Sequence, residues 1–122
     1  MATHFHLFVY GSLRSGGTAS ELMRGCQLVG PAEVSGTLYD IDGHLPALVL
    51  AGQGTVRGEV WRCPVDRLLV LDAYERVEDS LFRRAGVEVD GRGCWTYVAG
   101  AALAPQLKAA RRIESGEWAV PA

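Results

Sequence analysis

Glycine interrupts this chain so often that no long regular element fits between the breaks. It supplies 15 of the 122 residues, well above an average usage of roughly 7%, and each one suits a tight turn or a close backbone approach. The longest uninterrupted apolar run is Ala47–Ala51, far short of the roughly 20 residues that cross a bilayer. Short strands joined by turns are therefore predicted to dominate, with no membrane span. Apolar residues at 48% and charged ones at 21% describe a chain that buries a core, so residues 1–122 are read as one domain. With 12 basic and 14 acidic side chains the net charge is −2, which excludes a basic arm for nucleic acid or an anionic membrane. The start, Met1 to His6, lacks the cationic and apolar stretches of a secretory signal. Cys26, Cys63 and Cys94 form neither a CxxC pair nor an even disulfide set. Reduced thiols in a cytoplasmic protein are expected.

Phe5–Tyr10 alternates Phe5, Leu7 and Val9 with His6, Phe8 and Tyr10, which predicts a first strand. Thr18 to Glu21 fits a capping box, predicting a short helix to about Arg24. The pieces Leu28–Val29, Gly36–Asp40, Leu45–Leu50 and Val56–Trp61 read as a meander of short strands. Asp66 is predicted to cap a second helix over Leu68–Glu75. Phe82–Asp90 and Gly93–Val98 flank the turn sequence Asp90-Gly91-Arg92-Gly93, a hairpin signal because these residues tolerate positive φ. Gln106 to Arg112 is either a helical turn or a tail. Many short strands and two short helices predict an α+β fold, a small mixed β-barrel whose closure removes exposed edges. Binding sites in such folds lie at the barrel mouth.

Two places could carry chemistry. At Tyr10-Gly11-Ser12-Leu13 a strand ends beside a glycine, and successive amides there can form a nest for a carboxylate or other anion. The same turn also serves as a plain strand-to-helix connection. It lacks the glycine spacing and Lys-Ser/Thr of a phosphate-binding loop. Glu75 lies about 40° from Leu71 and about 20° from Leu68 around the second helix, which sets a carboxyl on the core-facing stripe. Buried there, it becomes a proton exchanger near neutral pH; past the helix end, it pairs on the surface with Arg76, Arg83 or Arg84. His4, His6 and His44 are candidate metal ligands without a carboxylate at ligand spacing, and no metal or cofactor is assigned. Ser12 has no evident His and Asp partners. Trp61, Trp95, Trp118 and Tyr97 read as core or pocket-wall aromatics.

Together these segments resemble the γ-glutamylcyclotransferase-like (AIG2-like, BtrG-like) family, whose signature is a Tyr-Gly-Ser-Leu loop after the first strand and a glutamate after an apolar helix. Here they stand as Val9–Arg14 and Leu71–Glu75. Gly36–Asp40, Leu45–Val49, Val56–Val60, Phe82–Arg84, Trp95–Val98 and Ile113–Trp118 follow in the same order, so the resemblance covers nearly the whole chain. Phe82 stands where family members often have tyrosine.

The resemblance implies release of 5-oxoproline from a γ-glutamyl amine or peptide, a small-molecule substrate, by attack of its own α-amine on the γ-carbonyl. Glu75 is then the general acid and base. The amides of Gly11, Ser12 and Leu13 hold the α-carboxylate or the developing oxyanion, and Tyr10, Tyr97 and Arg84 complete the substrate-binding wall. A non-catalytic small-molecule-binding module of the same fold, or an interaction domain that docks another protein, are the competing expectations. The leaving group and the oligomeric state are not readable from the residues.

Overall fold

The computed structural model describes residues 3–119; Met1 and Ala2, the first residues of the segment read for a signal, lie outside them. Seven strands carry the fold: β1 (His4–Val9), β2 (Gln27–Ser35), β3 (Thr37–Ile41), β4 (Leu45–Val49), β5 (Thr55–Pro64), β6 (Phe82–Val89) and β7 (Arg92–Ala99). Five form one mixed sheet in the order β2-β5-β1-β7-β6, and β3 pairs with β4 in a second sheet. β1 runs antiparallel to β5 and parallel to β7. The larger sheet curls until its edge strands β2 and β6 approach each other, while β4 crosses beside β7.

Central placement explains the composition of β1. A strand flanked on both sides and covered on both faces has no solvent side, and Leu7, Phe8 and Val9 are all buried. Its alternation sorts them between two cores. Leu7 and Val9 pack with Tyr39, Ala47, Leu71 and Tyr97, whereas Phe8 and Tyr10 pack with Val34, Leu38, Leu48 and Val60.

The hairpin signal is realised as a two-residue turn: Val89 pairs with Arg92, and Asp90 and Gly91 sit at φ 52° and 77°, the left-handed pair that matches strand twist. β2 is far longer than the Leu28–Val29 fragment. Gly30 and Pro31 break the sequence pattern there, but the register shifts between Leu28 and Gly30, and β2 lies at the sheet edge, where a residue lacking an N–H is tolerated.

Both predicted caps differ from the structure. The first helix is a 3₁₀ turn over Ser20–Met23 with no side-chain cap bond. The turn begins one residue later than a Thr18 box requires, so Ala19 stands at its N-cap, and a methyl side chain offers no oxygen to the free amides. The second helix, α1, spans Arg67–Tyr74; Asp66 precedes it at φ −69°, ψ −14°, without a side-chain cap bond. A capping carboxylate needs an extended backbone to reach the next amides, and Asp66 is already helical. Residues after β7 form 3₁₀ turns at Ala101–Gln106 and Ala109–Arg111, so the ambiguous tail is ordered against the barrel.

Candidate active site

β1 ends at the floor of a cavity of about 310 Å³ lined by residues of β1, the following loop, β4, the end of α1, and β6 and β7. The loop owes its shape to absent side chains and to two clamps. A Cβ on Gly11 stands 2.8 Å from Pro46 Cγ, and one on Gly17 stands 2.2 Å from Ser12 O, so neither position accepts a side chain without movement. Arg14, buried despite its charge, donates from Nε to Gly11 O at 3.2 Å and from Nη2 to Trp118 O. On the other side Glu59 Oε1 accepts from Ser15 N–H at 2.8 Å and from Trp61 Nε1 at 3.1 Å. Buried charged groups persist only when satisfied in this way.

The clamps leave three donors unused. The N–H groups of Gly11, Ser12 and Leu13 reach no acceptor among the described residues, and all three residues line the cavity. Consecutive free amides of this kind can bind an anion. The Ser12 hydroxyl is engaged, 2.7 Å from the Tyr74 hydroxyl.

Glu75 faces the same cavity. It directly follows α1, its N–H donating to Leu71 O at 2.9 Å, so it sits one turn beyond the fully buried Leu71 on the stripe read from the sequence. Burial pushes its carboxyl from 4.5 up to about 7, because the charged form loses hydration. The surface alternative does not occur. Arg76 pairs with Asp79 at 2.9 Å and Arg84 with Asp72 at 2.9 Å, and Glu75 has no ion pair among the described residues.

The cavity tyrosines are fixed struts. Tyr10 donates to Tyr97 O at 2.6 Å and accepts from Leu48 N–H at 3.2 Å; Tyr97 donates to Asp72 Oδ1 at 2.6 Å. Burial, then the nearby carboxylates, keep both phenols protonated well above their usual range.

The family model for gamma-glutamyl cyclotransferase, AIG2-like, matches residues 7–120. The gamma-glutamylcyclotransferase family protein YtfP of Escherichia coli K12 is 35% identical over 113 residues, 92% of this chain and 94% of that one. The chain belongs to the gamma-glutamyl cyclotransferase, AIG2-like family. Its fold matches the solution structure of Escherichia coli ytfP with a TM-score of 0.70 at 36% identity, over 93% of this chain and 96% of that one. A crystal structure of an AIG2-like protein from Mus musculus matches with a TM-score of 0.73 at 26% identity, over 86% and 82%.

Within this AIG2-like fold the structure brings Tyr10, Gly11, Ser12, Leu13, Glu75 and Tyr97 to one cavity. Arg84 is a correction. It does not line the cavity; its guanidinium is tied to Asp72 and lies 4.9 Å over the Trp95 ring. Arg84 pairs with Tyr97 across β6 and β7 and so shares its face of the sheet, but its long side chain runs to the Asp72 carboxylate that also holds Tyr97. None of Trp61, Trp95 and Trp118 lines the cavity either. Trp95 is exposed beneath Arg84, and Trp61 spends its N–H on Glu59. The His4, His6 and His44 candidate assembles no metal-ligating group among the described residues.

Sequence reasoning missed Tyr74, Leu45, Pro46, Leu81 and Phe82 as cavity walls. Leu45, Pro46, Tyr74 and Phe82 lie in segments that carry the family resemblance, whereas Leu81 lies outside them. No helix among the described residues is long and apolar enough to cross a membrane.

Proposed function

We propose that the protein cyclises a γ-glutamyl amine or peptide to 5-oxoproline with release of the amine, and that Glu75 is its general acid and base. The observation that carries this is a lone carboxyl, raised to about 7 by burial, in one cavity with the three free amides of Gly11, Ser12 and Leu13.

In the substrate the α-nitrogen attacks the γ-carbonyl carbon of its own chain. Held in the folded conformer, this step draws on effective molarities of about 10⁵–10⁸ M, so no enzyme nucleophile is needed. What the reaction needs is proton movement. The α-ammonium, with a pKa near 8, cannot attack until it gives up a proton, and Glu75 as carboxylate accepts it. The new C–N bond forms as the carbonyl π electrons move to oxygen. The tetrahedral centre collapses, the bond to the departing nitrogen breaks, and protonated Glu75 delivers a proton to that nitrogen, which is too basic to leave as an anion. The attacking nitrogen loses two protons to become a lactam N–H and the departing nitrogen gains two to leave as an ammonium, so no net proton is consumed. A group titrating near 7 suits both halves. The amides of the loop hold the negative end of the ligand, and Tyr10 and Tyr97, fixed by their own hydrogen bonds, wall it in.

The test is a panel of γ-glutamyl compounds with 5-oxoproline detected by mass, on the protein and on Glu75→Gln. Product from the protein and a loss of at least about 10²-fold in the variant are expected. Turnover in Glu75→Gln within a few fold removes Glu75 from the mechanism. Thermal stabilisation by a panel member without product makes the protein a binder.

A further inference from the structure

We infer that Cys26 and Cys63 are an oxidation site: a hydroperoxide joins them in a disulfide that staples the start of β2 to the end of β5, with the Arg67 guanidinium favouring the thiolate. Neither sulfur lines the Glu75 cavity, so the inference stands apart from the cyclisation reading.

Strand register places the pair. β2 runs antiparallel to β5 with Leu28 opposite Trp61 and Gln27 opposite Arg62, so the next step of that ladder sets Cys26 opposite Cys63. Directly opposed residues of an antiparallel pair share one face and have Cα atoms roughly 4.5 or 5.5 Å apart, within the roughly 4.4–6.8 Å that a disulfide spans. The shared face is the inner one. Cys63 is fully buried in the core, and Cys26, half-buried, packs against the same cluster. Burial first, then a hydrogen bond to Cys26, holds the Cys63 thiol protonated well above its usual range. Both are free thiols, as is Cys94, which sits on β7 in the other core.

Arg67 opens α1 beside these sulfurs, and its charge opposes the effect of burial on Cys63. Its Nη2 donates to Leu22 O at 2.6 Å, while its Nε is buried without a partner among the described residues. A buried donor left unpaired is costly, and a cation beside a thiol favours the thiolate, so ionisation of the pair gives this N–H an acceptor. Cys26 is the sulfur that meets an oxidant, because only it has exposure. As thiolate it attacks one oxygen of hydrogen peroxide; the O–O bond breaks, a sulfenic acid forms, and the hydroxide that leaves takes up a proton. Cys63 sulfur then attacks Cys26 Sγ, and its own proton departs with the hydroxyl as water. The two thiols lose two electrons and two protons in all, and the peroxide is reduced to two waters. The bond closes a loop that holds β3 and β4, which restricts the unfolded chain and stabilises the folded one.

The test treats the full chain with hydrogen peroxide, alkylates the remaining thiols and maps the peptides by mass. A Cys26–Cys63 cross-linked peptide, alkylation at Cys94, and a rise in Tm of at least about 5 °C that dithiothreitol reverses are expected. Cys94→Ser keeps the cross-link and the rise, and Cys26→Ser, a change at a half-exposed position, abolishes both. Arg67→Gln slows cross-linking at least about threefold; an unchanged rate overturns the role given to Arg67. Oxidation that stops at sulfenic acid on Cys26, disulfides formed only between chains, or a cross-link that lowers Tm overturns the inference.

Discussion

Replacing Glu75 by Gln should flatten part of the dependence of folding stability on pH, and the size follows from the site. The folded carboxyl titrates at about 7, raised by burial from an ordinary 4.5. Because the folded state binds this proton more tightly than the unfolded chain, the group favours the native state fully below 4.5, and that advantage is lost as pH rises through about 7. The whole effect is about 3 kcal/mol, of which about 2.5 kcal/mol falls between pH 5 and pH 9. Glutamine has nearly the same shape and does not titrate in that range. Relative to Glu75→Gln, the parent chain should therefore lose about 2.5 kcal/mol on going from pH 5 to pH 9, a relative shift of about 1–2 M in its urea midpoint. Titrations common to both chains, such as His6, whose pKa is lowered by burial and by Arg92 and Arg62, cancel in the comparison. Urea unfolding followed by tryptophan fluorescence at both pH values gives the difference directly. If the two chains run parallel to within about 0.5 kcal/mol, less than half of one pH unit of linkage, Glu75 is solvated and the argument for its proton exchange falls with it.

The same carboxyl sets the activity profile: kcat/KM should rise about tenfold per pH unit below about 7 and level off above it, and a profile flat from pH 5 to 8 contradicts a Glu75 base. Ser12→Ala removes the partner of the Tyr74 hydroxyl but keeps the loop amides, so turnover should persist within about tenfold; complete loss makes the hydroxyl itself essential. Gly17→Ala forces a Cβ to within 2.2 Å of Ser12 O, so it should cost about 1–3 kcal/mol in stability and weaken ligand binding, both readable by thermal shift with and without ligand. Leu71→Ala empties a fully buried position beneath Glu75 and should cost about 2–5 kcal/mol by urea unfolding; a loss under 1 kcal/mol disproves the packing described for α1.

Local chemistry was legible wherever one segment decides its own conformation. The Asp90-Gly91 turn, the alternation of β1 and the position of Glu75 beside Leu71 all depend on periodicity or on residues that tolerate positive φ. The caps at Thr18 and Asp66 differ because a cap depends on where the helix begins: the first turn starts at Ser20 with Ala19 at its N-cap, and at Asp66 the backbone is already helical. β2 was cut short because Gly30 and Pro31 look like breaks until the strand is known to lie at an edge with a register shift.

By itself the sequence determined the α+β class and marked the glycine turn at Tyr10–Leu13 and the carboxyl of Glu75 as the two candidates for chemistry, since each follows from spacing within a few residues; it left open whether the turn holds an anion and whether Glu75 faces inward. Tertiary structure alone decided that the loop and the carboxyl share a cavity, that Asp72 rather than substrate takes Arg84, and that Arg14 and Glu59 hold the loop amides free. Those outcomes join residues dozens of positions apart, and which partner each polar group finds is settled by where the strands bring the chain together, not by any pattern along it.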